Sequence, residues 1–391
     1  MSPRILFIDH SSVLGGGELS LLDIARHFRD SSRVVLLEEG PFEERLQDAC
    51  VDVHVIDGRE QIGKVVREGG LMQDLRVVPG VLQVAARVAR QASGFDVLYA
   101  NSQKSMIVAA LSGLLVRKPV VWHLRDLITT DHFSRTHCRL VTVFTNLFVN
   151  RVIANSQATR EAIIAMGVNA ERVFTVYNGI DETPFLCVTP DQATAVRAEL
   201  GLLNVPTVGV FSRLCHWKGQ HILVEALRDL PGVHALIVGG PLFQEDYRYE
   251  EALRRQVVEA DLVDRVHFLG FRSDIPQLMH AVDVVVHTST APEPFGRVIA
   301  EGMLARKPVV ATQAGGAQEI IQPGKTGWLV PAGDPATLRE ALAKLLTDHA
   351  LAERLSEAGR QEALHKFSVR RLVHEVGEQL QQVAKKNGMS G

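Results

Sequence analysis

The chain has little that points to a metal, membrane or nucleic-acid protein. Its four cysteines, Cys50, Cys138, Cys187 and Cys215, are far apart and form no CxxC pair. That argues against a zinc site or a disulfide framework and fits a reducing cytosol. No apolar run approaches the roughly 18–20 residues of a membrane span. The start, MSPRILFIDH, runs directly into a strand-like segment and lacks the parts of a signal peptide, so a cytoplasmic location is expected. Neither sign of charge dominates: 42 Lys and Arg face 45 Asp and Glu, for a net charge of −3. There is thus no global field for nucleic acid. Internal repeats, low-complexity tracts and a G-x-G-x-x-G dinucleotide fingerprint are also missing. What remains is ordinary for a globular protein, with 46% hydrophobic and 22% charged residues. At 391 residues it exceeds a single core, which rarely passes about 250–300.

The hydrophobic pattern alternates short apolar runs with helical spacing. Strands are expected at 5–9, 34–38, 53–56, 96–101, within 119–126 (a strand and its exit loop), 151–156 and 172–179, with helices at 20–28, 80–91, 104–115, 138–147 and 158–166 between them. Order weakens into a loop-like segment with Pro184 and Pro190, and a hinge is expected near 182–190. A short helix at 193–200 follows, then further strands at 207–214, 234–240, 265–271, 283–289, 308–312 and 327–331. Continuous apolar strands in βαβα order predict parallel sheets covered on both faces. The expected domains are 1–185, 186–368 and a C-terminal helix in 369–391. That helix carries Leu372, Val373, Val376, Leu380 and Val383 at helical spacing, so it needs a partner face on one of the domains.

Ligands of open parallel sheets bind beyond the carboxyl ends of the strands. The loops there are the informative ones. After the first strand, Gly15, Gly16 and Gly17 open a helix. Such glycines either make a plain tight turn or bring backbone N–H groups to an anion. Glu38, about 20 residues on, keeps a dinucleotide reading alive. His123 ends the strand PVVWH and can bond a hydroxyl or move a proton. Asn101 ends the preceding strand, and Arg125 and Asp126 follow His123. In the second half, SRLCHWKG places Arg213 and Lys218 in one loop, a cation pair suited to a diphosphate. Gly270, Phe271 and Arg272 end another strand in a loop that can hold a nucleobase. EPFGRVIAE sets Glu293 on a stiff turn through Pro294, Phe295 and Gly296, then Arg297, and Glu301 in the following helix. Gly315 and Gly316 repeat the strand, glycine pair, helix device. Each feature also has a bland reading as solvated charge or an ordinary βα turn.

Together, R-L-x-x-x-K-G at 213–219, E-P-F-G-x-x-x-x-E at 293–301, A-G-G-x-x-E at 314–319 and YNGID at 177–181 resemble the family 4 glycosyltransferases. Their order and spacing cover nearly the whole chain. The resemblance implies a GT-B fold of two Rossmann-like, doubly wound parallel-sheet domains facing across a cleft. It also implies a retaining, metal-independent transferase that moves a hexose-type sugar from a UDP-, GDP- or other nucleoside-diphosphate sugar to an acceptor hydroxyl. No cofactor is expected. In that reading Arg213 and Lys218 hold the diphosphate, with Gly16 and Gly17 approaching it. Glu301 takes the ribose hydroxyls, and Glu293 contacts the sugar with Pro294, Phe295, Gly296 and Arg297 around it. Gly270, Phe271 and Arg272 meet the base. His123, Glu293, Arg213 and Lys218 form the catalytic set, and Asn101 and Arg125 are acceptor-side candidates. The context W-H-L-R-D departs from the more familiar His-Asp form, which leaves the role of His123 open. A sugar-nucleotide epimerase, a phosphorylase and a non-catalytic sugar-nucleotide sensor are the alternatives. Arg76, Arg87 and Arg90 on one helix, and Arg135 and Arg139 on another, raise peripheral contact with the inner face of a membrane. Ordinary helices packed on a sheet are the readier explanation.

Overall fold

A computed structural model describes residues 3–58, 77–130 and 133–388. The chain forms two compact units, residues 1–179 with 369–391, and residues 180–368.

The first unit holds strands β1 (Ile5–Asp9), β2 (Ser32–Leu36), β3 (Val53–Val55), β4 (Val97–Ala100), β5 (Val120–Leu124), β6 (Arg151–Ala154) and β7 (Val173–Thr175). They form one sheet in the order β3-β2-β1-β4-β5-β6-β7, every described pairing parallel. Its strands are almost wholly buried because helices cover both faces. On one face Leu6, Ile8, Trp122 and Val152 pack under helices Val77–Gln91, Gln103–Val116 and Arg135–Phe148. On the other, Ile5, Phe7, Tyr99 and Ile153 pack under helix Gly16–His27. The helix Val369–Gly388 belongs to this second face, where Leu372, Val376, Leu380 and Val383 enter the same cluster. Its apolar stripe is the reason it docks there.

The second unit repeats the plan. Strands β8 (Thr207–Phe211), β9 (His234–Val238), β10 (Val266–Gly270), β11 (Val284–His287), β12 (Val309–Thr312) and β13 (Trp328–Val330) lie in the order β10-β9-β8-β11-β12-β13, again parallel. The sheet core is Val208, Val210, Ile237, Val284, Val286 and Val310. In both units the strand order reverses beside the first strand: between β1 and β4, and between β8 and β11. Those reversals open crevices at the strand ends.

The segment expected to be a loop around Pro184 and Pro190 is instead helical. Each proline sits in the first turn of a short helix, Thr183–Leu186 and Pro190–Glu199. A missing N–H costs nothing there, since the first-turn donors have no helical partner. Residues 180–185 pack with the second unit. Helix Pro41–Asp48 was not evident from the sequence. It starts from Gly40 at φ 156° with proline at its first position. Arg135, Arg139, Val143 and Leu147 are all exposed and four residues apart, forming one stripe of a helix. Arg90 is exposed and Arg87 half-buried, whereas Arg76 lies outside the described residues. No helix among the described residues is long and apolar enough to cross a membrane.

Candidate functional site

In the second unit, the loops after β8 and β11 are bound to each other at the point of reversal. Thr288 donates from Oγ1 to the Lys218 carbonyl at 2.8 Å, and the Thr290 amide donates to the Trp217 carbonyl at 2.8 Å. Gly219 allows this closeness. At φ 68° it lies where a side chain's Cβ would stand 2.0 Å from the Thr288 carbonyl oxygen. The result sets the Lys218 ammonium on the Glu293 carboxylate. The same oxygen, Oε1, accepts from Ser289 Oγ at 2.7 Å and from His287 Nε2 at 3.2 Å. Thr312 Oγ1 lies 3.3 Å from His287 Nδ1. Glu293 is 5% exposed. Burial opposes its ionisation, but the Lys218 charge and then the His287 hydrogen bond outweigh burial and hold its carboxyl below the ordinary range.

Gly315 and Gly316 support this loop from beneath. The Gly316 amide donates to the Glu293 carbonyl at 2.7 Å. A Cβ at Gly315 would come within 2.3 Å of that oxygen, and one at Gly316 within 2.6 Å of the Pro294 carbonyl. This glycine pair therefore serves backbone contact between loops. Gly296, at φ 99°, caps helix Arg297–Leu304, and Phe295 is buried. One turn in, Glu301 lies 3.3 Å from Arg297 Nε, both side chains largely covered.

Arg213 is braced by its neighbours. Its Nε lies 3.6 Å from buried Asp246, its guanidinium sits 5.0 Å from the Phe243 ring centre, and Nη2 donates to Cys215 Sγ at 3.5 Å. After β10, Phe271 is 82% exposed. Gly270, at φ 63°, gives its carbonyl to the Gly239 amide at 2.8 Å. The side chain of Arg272 is committed locally, with two bonds to Asp274 at 2.8 and 2.7 Å and one to Glu199 at 3.3 Å.

In the first unit the reversal point carries a buried polar shelf. Asp9 ends β1, and its Oδ2 accepts from Asn101 Nδ2 at 2.5 Å. That fixes the Asn101 amide so that Oδ1 accepts from Arg125 Nε at 2.7 Å. Arg125 Nη1 donates to Asn178 Oδ1 at 2.9 Å, and Nη2 lies 3.2 Å from His123 Nδ1. Asn101 and Arg125 are thus spent on one another and on the shelf. Gly17 leaves room for it, since a Cβ there would meet Arg125 Cδ at 3.2 Å. Gly16 opens the helix, and the Gly15 amide donates to Glu18 Oε2 at 3.1 Å. Burial and the Asp9 charge push the Glu18 carboxyl up to about 8. Glu38 accepts from the Ser12 amide at 3.0 Å and so braces the glycine loop.

Comparison with known proteins decides the family. Residues 14–183 match "Glycosyltransferase Family 4" and residues 193–362 match "Glycosyl transferases group 1". HepE from Anabaena, solved in complex with UDP-glucose, is 40% identical over 97% of this chain and 100% of that one, with a TM-score of 0.88. The lipopolysaccharide core biosynthesis mannosyltransferase LpcC of Rhizobium leguminosarum bv. viciae is 31% identical, covering 79% of this chain and 84% of that protein. The lipopolysaccharide core biosynthesis glycosyltransferase LpsE of Rhizobium meliloti is 29% identical, but only 60% of its length is spanned.

The chain belongs to the family 4 glycosyltransferases.

It is a transferase with the two parallel-sheet domains of the GT-B fold. Within each unit, the structure gathers residues that the motifs separate. Lys218 and Glu293 meet in one cluster, and Asn101, His123 and Arg125 in another. Phe271 and Arg272 join neither. Residues the motifs did not show are His287, Ser289 and Thr312 around Glu293, and Asp9, Glu18 and Tyr99 in the shelf; Asn178 lies in YNGID but was given no role there. For His287 and Ser289 a signal existed. Polar residues ending an otherwise apolar strand, four and six positions before a buried acid, are well placed to serve it.

Proposed function

We propose that this family 4 glycosyltransferase is a retaining enzyme that moves a hexose from a UDP-sugar to an acceptor hydroxyl, with UDP-glucose the first donor to try. The observation that carries the reading is the Lys218–Glu293 cluster, built at the reversal of the second sheet by two interlocked loops. The base and sugar are suggested by HepE, which is similar over nearly the full chain and was solved with UDP-glucose.

The chemistry follows from the charges. As the glycosidic bond breaks, negative charge grows on the leaving diphosphate. Arg213 and Lys218 are assigned to stabilise it, Arg213 as a braced planar donor and Lys218 as a mobile point charge. Lys218 must then exchange Glu293 for phosphate. Ser289 and His287 remain to hold the carboxylate, so Glu293 keeps its charge and its position. It is assigned to the hydroxyls of the transferred sugar. Three donors on one oxygen suit a fixed hydrogen-bond acceptor and do not suit a covalent nucleophile. Retention then proceeds by same-face attack, with the departing phosphate taking the acceptor proton. Glu301 is assigned to the ribose, because a carboxylate accepts two adjacent hydroxyls. Gly270 and Phe271 are assigned to the base.

The test is calorimetric binding of UDP-, GDP-, ADP- and TDP-sugars, with and without EDTA. UDP-sugars bind, EDTA leaves binding unchanged, and Lys218→Ala and Glu301→Ala each weaken it by about tenfold or more. Unchanged binding in both variants would refute the site.

A further inference from the structure

His123 lies one residue before the end of β5 and has no exposed surface. Its Nδ1 lies 3.2 Å from Arg125 Nη2 and hydrogen-bonds the Tyr99 hydroxyl. A guanidinium has only donors to offer. Nδ1 facing it must therefore be the acceptor, without a proton. The Tyr99 hydroxyl then donates to the same nitrogen, and burial favours its protonated form. A neutral imidazole that accepts at Nδ1 carries its proton on Nε2. Yet Nε2 is buried and has no hydrogen-bond partner among the described residues.

A doubly protonated ring fits no better. It would set Nδ1–H against the Arg125 donors. Burial, and after it the Arg125 charge, hold the His123 pKa well below the usual histidine range. The charged and titratable neighbours are Tyr99 from β4, Arg125 beyond β5, and Asp9 and Glu18 across the shelf. The two acids act on the groups that hold His123, Asp9 on Asn101 and Tyr99 and Glu18 on Arg125. Arg125 is itself held by Asn101 and Asn178, so its plane does not turn away.

We propose that Tyr99 and Arg125 are positioning residues that lock His123 as a neutral ring with its proton on Nε2, so that the enzyme uses it as a fixed N–H donor to a substrate oxygen and not as a base. A buried donor left without a partner is costly, which is why such groups are rare away from function. A hydroxyl or phosphate oxygen of a substrate is the acceptor of matching chemistry. The inference rests on the transferase site proposed above.

Two measurements on the full chain test it. The first is the ring-nitrogen NMR spectrum of 15N-histidine protein without ligand, with His123 assigned by its loss in His123→Asn. The expected pattern is a neutral ring protonated at Nε2 from pH 5.5 to 8. In Arg125→Met the proton spreads onto Nδ1 and the ring begins to titrate; in Tyr99→Phe, whose ring fills the same space, part of the proton moves onto Nδ1 while burial and the Arg125 charge still keep the ring neutral. The second is UDP release from UDP-glucose. Tyr99→Phe lowers kcat about tenfold with the donor KM within about twofold, and His123→Ala lowers kcat about 100-fold. A purely structural Tyr99 would not separate kcat from KM. A wild-type ring that titrates near neutral pH, or that carries its proton on Nδ1, overturns the inference and leaves the transferase site standing. A locked wild-type ring together with a His123→Ala enzyme of normal rate overturns the role in catalysis and, with it, the assignment of His123 to the site.

Discussion

The two units wind their sheets in the same order and place polar residues at the same topological point, but they build opposite things there. In the second unit, two loops clasp each other and present half-covered cations beside a buried acid. In the first, strand ends supply a shelf whose members are spent on one another: Asp9, Asn101, Arg125 and Asn178. The contrast suggests a division of labour. A charged, exchangeable pair suits a ligand that brings its own charge, whereas a saturated shelf suits holding one group, His123, in one state.

The largest effect is expected where the second unit's pair is cut. Under the proposed assignment, Glu293→Ala removes the acceptor for the sugar but leaves Lys218 free for phosphate. Transfer from UDP-glucose falls about 1,000-fold, while affinity for UDP alone stays within about threefold. Steady-state UDP release and calorimetry with UDP read the two quantities. If UDP affinity collapses with the rate, Glu293 serves the diphosphate side and the division drawn above fails.

A smaller effect is expected one shell behind. His287→Phe keeps the ring and removes the Nε2 donor to Glu293. The rate falls about tenfold, since Ser289 still holds the carboxylate once Lys218 has turned to the phosphate. Stability changes in a defined direction. A carboxyl held low contributes stability above its unfolded pKa and loses it as pH falls through the folded one. Losing His287 raises the Glu293 pKa, so the acid-unfolding midpoint followed by circular dichroism moves to higher pH, for a loss of about 1 kcal/mol at neutral pH. An unmoved acid limb would leave Lys218 and Ser289 sufficient to fix Glu293.

The same contrast explains what the sequence could reveal. The parallel sheets were legible because their strands are continuous apolar runs between helical stretches. The second unit's cluster was legible because Lys218 and Glu293 each sit in a short contiguous motif, R-L-x-x-x-K-G and E-P-F-G. The shelf was not, because Asp9, Tyr99 with Asn101, His123 and Asn178 come from within and just beyond four different strands, far apart in the chain, and no single motif joins them. Asn101 and Arg125 looked like free polar side chains at strand ends, and only their distances show them committed. The prolines at 184 and 190 depart from the loop expectation for another reason. Proline stops a helix from its interior but starts one from its first turn, and composition alone does not tell the two apart.

The smallest effect lies within the shelf and tests whether it is as saturated as the distances imply. Glu18 caps the glycine loop, and burial with the Asp9 charge pushes its carboxyl up to about 8. Its folded pKa is thus above the unfolded value of 4.5. The stability this contributes is complete below that value and is lost as pH rises toward 8. Glu18→Gln keeps the oxygen that accepts from Gly15 and removes the titration. At pH 5 the variant and the parent should melt together. Toward pH 8 the variant should become the more stable, by about 1 kcal/mol after allowing for solvent screening of a half-buried group, or about 2–4 °C in Tm for a unit of this size. Parallel melting curves across that range would mean that Glu18 ionises normally, and that the glycine loop of the first unit carries one more negative charge than the shelf was built to hold.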